Sequence, residues 1–363
     1  MDRYTARINA AQRVQNSRLG PYSGPILGWD IGGANLKAAR IEDGRSEARV
    51  VERPFALWRD PQRLPAMLGE TAEALGRADV MAVTMTAELA DCFATKREGV
   101  ACVLDAFDTA FPGIDAWIYG VDGRFRSPAA ARRAPRQVAA ANWRAGAALV
   151  AHTTPDALFI DVGSTTTDVT PIVAGQVVAR GKTDPARLRT GELVYTGLLR
   201  TPVCAVVQWL PLRGRRCRVA AEHFAVTADA HLWLGRIGAD DYTCDTPDGR
   251  GRSVGEAGAR LARMVCGDLE MLTPADITAI AERVARAQVC QIADGIRQVM
   301  RRLGADCPRV AMIAGQGAVL GCEAARSLGL DVKDMREEAG AAVARATPAA
   351  AVAYLLAADV EHA

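Results

Sequence analysis

Along the chain, short apolar runs alternate with longer stretches of helical periodicity, a pattern that predicts sheets covered by helices. One apolar run, Ile26-Leu27-Gly28-Trp29, leads into the polar segment Asp30-Ile-Gly-Gly-Ala-Asn-Leu-Lys37 and on through a β-like stretch, Leu36 to Ile41. The arrangement returns later. Ala157-Leu158-Phe159-Ile160 precedes Asp161-Val-Gly-Ser-Thr-Thr-Thr-Asp168, followed by the stretch Val169 to Val173. Asp30 to Gly44 and Asp161 to Gly175 span the same 14 positions, and Gly32 matches Gly163. The chain therefore reads as two copies of one unit.

Each copy predicts a β-hairpin whose tip is unusually hydrophilic. Successive backbone N–H groups, together with the small polar side chains of Asn35, Ser164, Thr165, Thr166 and Thr167, make such a tip an anion cradle suited to phosphate. Glycine at these turns lets another group approach the backbone closely. After the first hairpin the pattern predicts a strand over Ala48 to Phe55, a helix over Pro61 to Leu75 and a strand over Val80 to Met85. A helix over Lys96 to Phe111, a strand around Trp117 to Tyr119 and a helix over Arg136 to Val150 complete the first copy. The second copy predicts a long helix from Pro274 to Leu303, a buried strand over Val310 to Ala314, and closing helices to about Ala358. Residues 182–272 do not fit the repeat. With Pro202, Pro211, Pro247 and an Arg213-Gly214-Arg215 turn, they read as an insertion serving a cleft. The expected layout is a lead-in over residues 1–24, a first domain over 25–155 and a second over 156–358.

Composition narrows the classes of function. The 363 residues carry 44 Lys+Arg against 42 Asp+Glu, a net charge of +2, which favours neither nucleic acid nor an anionic membrane as partner. Nine scattered cysteines with no C-x-x-C pair point away from a disulfide framework and toward a reducing, cytoplasmic setting. No signal-peptide pattern opens the chain, and no apolar window is long enough to span a bilayer. Lysine is scarce: Lys37, Lys96, Lys182 and Lys333 stand among arginines, so each merits attention.

Two Asp-x-Gly hairpin tips and a late Ala314-Gly315-Gln316-Gly317 turn after a buried strand resemble the superfamily of acetate and sugar kinases, heat-shock chaperone ATPases and actin. That resemblance implies a duplicated actin-like, ribonuclease H-like α/β fold with two domains around a central cleft. Longer passages, Val83 to Asp91, Phe159 to Asp168, Gly191 to Pro202, Ala221 to Asp229 and Asp248 to Arg252, are similar to the hydantoinase/oxoprolinase-like family linked to tetrahydromethanopterin one-carbon transfer. Archaeal members of that family resemble a methanofuran-biosynthesis synthase. The implied reaction joins an aminomethylfuran-methyl diphosphate to the phenol of a glutamyl-tyramine or tyrosine-type acceptor and releases diphosphate. ATP has no part in it, although an ATP-dependent kinase or a hydantoinase-type amidohydrolase is the alternative.

On that resemblance Asp30 and Asp161 are candidates to hold Mg²⁺, which takes a few carboxylates along with water and phosphate oxygens. Gly32, Gly33, Asn35, Gly163, Ser164, Thr165 and Thr166 would cradle phosphate oxygens. Lys37 is either a phosphate partner or a solvated strand lysine, and Asp30 is a candidate base for the phenol. Thr86, Glu88 and Asp91 follow a buried strand at a strand-to-helix junction, so Glu88 is a catalytic or substrate candidate and Asp91 a substrate one; a helix cap and helix N-terminal acids are the alternatives. Glu192, Tyr195, Thr196, Arg200 and Thr201 are candidates for the acceptor side, with Arg200 as carboxylate clamp or ordinary salt-bridge partner. Gly315, Gln316 and Gly317 either contact a ligand or are glycine-rich for packing. Glu222, His223, Asp229 and His231 offer metal donors at intervals that match no standard zinc pattern, and core histidines are the plainer reading. The expected partners are small molecules, with a homodimer left open.

Overall fold

The computed structural model describes residues 24–42 and 47–361. The expected lead-in, except its last residue, and the turn at Gly44 lie outside the described residues.

The first sheet contains β1 (Ile26–Ile31), β2 (Asn35–Ile41), β3 (Arg49–Pro54), β4 (Val80–Met85), β5 (Asp115–Tyr119) and β6 (Phe125–Arg126) in the order β3-β2-β1-β4-β5-β6. β1 is buried along its whole length, lying between antiparallel β2 and parallel β4 with helices packed on both faces. The second sheet contains β7 (Ala157–Val162), β8 (Thr167–Val173), β9 (Gln176–Val177), β10 (Leu193–Val194), β13 (Val310–Ala314) and β14 (Asp331–Asp334), along the path β10-β8-β7-β13-β14. Again the first strand pairs antiparallel with the next and parallel with a later one. β9 and β10 pair with opposite ends of β8, where the first sheet has the single strand β3. This is the duplicated actin-like fold, with two α/β domains.

Helices Asn142–Thr153 and Thr347–Glu361 pack against each other between the sheets. The first lies on β7 and β8, the second on β1, β2 and β4, so the C-terminal helix returns to the first sheet. Gly28 lets it approach, because a Cβ there would run into the Ala349 carbonyl. The outer face of the first sheet carries helices Leu64–Leu75 and Lys96–Ala110, where Trp29, Phe107 and Phe111 form an edge-packed aromatic cluster. Helices Pro274–Leu303 and Ala318–Ser327 cover the second sheet.

Several predicted elements have clear local causes. The 30-residue helix Pro274–Leu303 starts at a Thr273–Asp276 capping box with proline in the first turn, and stops at Gly304, whose φ is +59°. Arg213-Gly214, both at positive φ, turn the hairpin of β11 (Trp209–Leu212) and β12 (Arg215–Arg218). The helix expected over Arg136 to Val150 is corrected. Residues 135–137 instead form a 3₁₀ turn, Ala139 bridges Met85 at the end of β4, Ala140 takes φ +50°, and the helix begins only at Asn142. Between β10 and the long helix lie the short helices Val203–Val206 and Thr227–Trp233, the β11–β12 hairpin and the helix Val254–Arg263, sharing a core with the long helix's first half.

Candidate functional site

The two hairpin tips line one cleft of about 310 Å³ between the domains. They are the same turn built twice. Gly32 N–H donates to the Asn35 carbonyl at 3.0 Å, and Gly163 N–H donates to the Thr166 carbonyl at 2.9 Å. The last carbonyl of each parent strand is held alike: Ile31 accepts from Thr86 N–H and Val162 from Gly317 N–H, both at 2.9 Å. Each tip is braced by a following loop, Leu57 N–H donating to the Gly33 carbonyl and Leu198 N–H to the Gly163 carbonyl. The loops also meet across the cleft, since the Arg200 guanidinium lies 4.6 Å from the centre of the Trp58 ring.

Register sets the charge of each tip. Asp30 on β1 pairs with Lys37 on β2, whereas Asp161 on β7 pairs with Asp168 on β8. Burial pushes the Asp30 carboxyl up to about 6, an effect that nearby Lys37 opposes. Burial pushes Asp161 up to about 7, and there the neighbouring Asp168 charge pushes the same way. Asp168 is also raised by burial, against the pull of Arg187, whose guanidinium donates to it at 2.7 Å and stacks on Trp143. Glu88, 1% exposed, is pushed up to about 7 by burial, with Lys96 opposing. Asp30 Oδ1 and Glu88 Oε2 are buried and have no hydrogen-bond partner among the described residues.

Most of the sequence candidates converge here. Asp30, Gly32, Gly33, Asn35, Lys37, Thr86, Glu88, Asp91, Asp161, Gly163, Ser164, Thr165, Thr166, Tyr195, Arg200 and Gly315 all line the cleft. Lys37 is no solvated strand lysine: its ammonium donates to the Arg345 carbonyl at 2.6 Å and lies 3.5 Å from Glu52. Gly315, at φ +87°, packs where a Cβ would meet both the Val162 carbonyl and Asp161 Oδ1, so its lack of a side chain lets Asp161 sit against this turn.

Five candidates fall outside the cleft lining. Glu192 lies outside the cleft lining; its carboxylate accepts from Arg180 and Gly181 N–H at 2.7 Å each and pairs with Arg302. Gln316 and Gly317 are outside it too, Gly317 being packed against Val162. Thr196 and Thr201 are buried behind the second tip, where Thr201 Oγ1 accepts from Gly197 N–H. The structure adds Trp58, Lys96, Asp168, Asp184 and Arg187 to the site. Lys96 left a sequence trace as one of few lysines, and Asp168 as the last residue of the second tip segment.

The donor set of the two tips fits Mg²⁺. Asp30 Oδ1 is buried without a partner among the described residues and Asp161 stands half-buried on the other tip, a pair that suits Mg²⁺, which needs only one or two carboxylates when water and phosphate complete its shell. Among the described residues no group of three or more His, Cys, Asp or Glu side chains is placed to hold a metal ion. The four donors at Glu222, His223, Asp229 and His231 do not form a site. Glu222 and His223 are exposed, so His223 is no core histidine; Asp229 is locked to Arg260 and Tyr242, and His231 bonds Gln288.

With this geometry in hand, comparison with known proteins places the chain. Residues 79–358 match the hydantoinase/oxoprolinase family, Hydantoinase_A. The chain belongs to that family. It is 36% identical over 332 residues to the (4-{4-[2-(gamma-L-glutamylamino)ethyl]phenoxymethyl}furan-2-yl)methanamine synthase of Methanocaldococcus jannaschii, covering 91% of this chain and 97% of that protein. A synthase of the same name from Methanococcus vannielii is 32% identical over 203 residues, covering 55% of this chain and 90% of that protein. Among solved structures, nucleotide-free acetone carboxylase aligns over 88% of this chain and 69% of its own with a TM-score of 0.57 at 11% identity, a likeness of fold alone. Among the described residues no helix is long and apolar enough to cross a membrane.

Proposed function

We propose that this protein is a diphosphate-releasing ether synthase of methanofuran-type cofactor assembly. It joins an aminomethylfuran-methyl diphosphate to the phenol oxygen of a glutamyl-tyramine or tyrosine-type acceptor. The observation that carries this reading is the 36% identity spanning 97% of a relative that bears that synthase's name. The cleft chemistry agrees with it.

In this reaction the bond between the furan CH₂ carbon and the diphosphate oxygen breaks, its electron pair leaving with diphosphate. A new carbon–oxygen bond forms to the phenol, whose proton passes to a base. An electron-rich furan ring tolerates positive character at the attached carbon, so stabilising the leaving anion matters more than a strong nucleophile. The N–H groups and hydroxyls of the two tips are fixed hydrogen-bond donors for its oxygens, already aimed and needing little reorganisation. Mg²⁺, held by Asp30 and Asp161, would neutralise charge on the leaving oxygens. Arg200, at the cleft mouth beside Trp58, is placed to meet an acceptor carboxylate. A phenol has an ordinary pKa of about 10, and Asp30, whose Oδ1 is buried in the cleft without a partner among the described residues, is the candidate to take its proton when that oxygen is not on the metal.

The test is turnover with the purified chain, Mg²⁺, the furan diphosphate and either γ-glutamyltyramine or tyrosine. Mass spectrometry should find a phosphate-free ether and one released diphosphate per ether. Substrate-dependent ATP hydrolysis without ether would overturn the proposal in favour of an ATP-dependent kinase or amidohydrolase.

A further inference from the structure

One wall of the cleft has a charge arrangement that diphosphate does not explain. Glu88 sits in the short turn Ala87–Leu89 after β4, Lys96 opens the helix Lys96–Ala110, and Asp184 opens the helix Asp184–Thr190 of the other domain. The Lys96 ammonium lies 3.1 Å from Glu88 Oε1 and 2.5 Å from Asp184 Oδ2. Above about pH 7, where Glu88 is ionised, two carboxylates against one ammonium leave one negative charge. That charge faces the cleft, because Glu88 and Asp184 both line it, and Glu88 is 1% exposed with Oε2 unpartnered among the described residues. A buried carboxylate oxygen without a donor is costly unless a ligand supplies one. A phosphate oxygen would be repelled there, and a neutral hydroxyl would leave the net charge uncompensated.

We infer that Glu88, backed by Lys96 and Asp184, is the recognition site for a primary ammonium carried by the ligand, such as an aminomethyl group on a small ring. The inference rests on the proposed function, which supplies a furan bearing an aminomethyl group as well as the diphosphate-bearing carbon. Lys96 occupies Oε1, so the ligand's ammonium takes Oε2. Because Lys96 also bonds Asp184 across the cleft, the ammonium site is complete only when the two domains are together. The two ends of the substrate are thereby sorted by charge: the anionic end to the N–H groups of the tips, the cationic end to the Glu88 wall.

The test uses calorimetry with furfurylamine, and with furfuryl alcohol as its neutral counterpart, at about pH 8, where an alkylamine keeps its proton and a carboxylate has lost its own. The wild-type chain should bind the amine about tenfold or more tightly than the alcohol, the scale of one charge-assisted hydrogen bond. Glu88→Gln should abolish the preference while binding of Mg²⁺-diphosphate stays within about twofold, a change too small to count as a lost contact. Asp184→Asn, a second variant in case the first fails to fold, should reduce the preference about threefold or more by removing one charge at short range. Equal binding of amine and alcohol by the wild type, or a preference that survives Glu88→Gln, would overturn the inference. Neither probe carries diphosphate and no product is read, so this result stands apart from the ether assay.

Discussion

The two hairpin tips share a turn, a parent strand and a bracing hydrogen bond, yet they differ at the position opposite the key aspartate. In the first domain Asp30 faces Lys37, whose ammonium is tied to the Arg345 carbonyl near the C-terminal helix. In the second, Asp161 faces Asp168, and the balancing charge comes from Arg187. The fold was duplicated, but the charge was not. The first tip carries its own cation and the second depends on an arginine from the segment that follows β9. This makes Asp161 the carboxylate with more to gain from a bound cation, since both burial and a like charge disfavour its ionised form.

The largest expected effect follows from that asymmetry. Asp161→Asn should lower kcat by about 10³-fold, the scale of losing one preorganised electrostatic contact, with the melting temperature unchanged or raised. Near-normal turnover in steady-state assays would mean that the second tip is not where the leaving anion is stabilised. Next comes a contrast in stability. A Cβ on Gly32 would sit 2.7 Å from the Asn35 carbonyl, whereas one on Gly163 finds nothing closer than 3.5 Å. Gly32→Ala should therefore cost about 1–3 kcal/mol by forced backbone shifts, and Gly163→Ala about 0.5 kcal/mol or less, as read by denaturant unfolding. Equal costs would show that the two turns are not tensioned as their geometry implies.

A smaller effect concerns pH. The folded-state values of Asp30 and Asp161, about 6 and about 7, lie above those of an unfolded chain. Between about pH 4 and pH 7 the folded protein holds protons that the unfolded one has released, so its stability should fall as pH rises through that window. Melting curves of chelator-treated protein should show this decline, added Mg²⁺ should oppose it near pH 7, and Asp161→Asn should flatten it more than Asp30→Asn. A flat profile in the wild type would contradict the burial of these carboxylates. The smallest effect is at the mouth: Arg200→Met should cost about 1 kcal/mol or less in stability through loss of the Trp58 contact, but raise KM for a carboxylate-bearing acceptor.

Much of this was legible in the sequence where local chemistry marks its own limits. β4, β13 and the helix Pro274–Leu303 have the bounds their patterns predict, because uninterrupted apolar runs, a Thr-Pro cap and a stopping glycine delimit them. Residues 136–141 misled, since they open in a 3₁₀ turn, Ala139 bridges Met85 of β4, and Ala140 adopts positive φ without glycine to announce it. The tips were legible because they repeat. Asp184 and Arg187 were not: in the sequence an acid and an arginine on one short helix look like ordinary surface residues, and only folding turns them into the cleft. Glu192 misled in the opposite sense, its carboxylate being consumed by two backbone N–H groups and Arg302. Scarcity of lysine was, beside the repeat, a signal that reached beyond local pattern, and two of the four lysines, Lys37 and Lys96, serve the cleft or its wall.

The central claim is that both tips act together on one diphosphate. Calorimetric titration of inorganic diphosphate with Mg²⁺ into the wild type, Asp30→Asn and Asp161→Asn tests it most directly. The account predicts Mg²⁺-dependent binding by the wild type that either single substitution weakens by about tenfold or more. Binding that either variant retains undiminished, or tight Mg²⁺-ATP binding with hydrolysis in place of diphosphate binding, would contradict it.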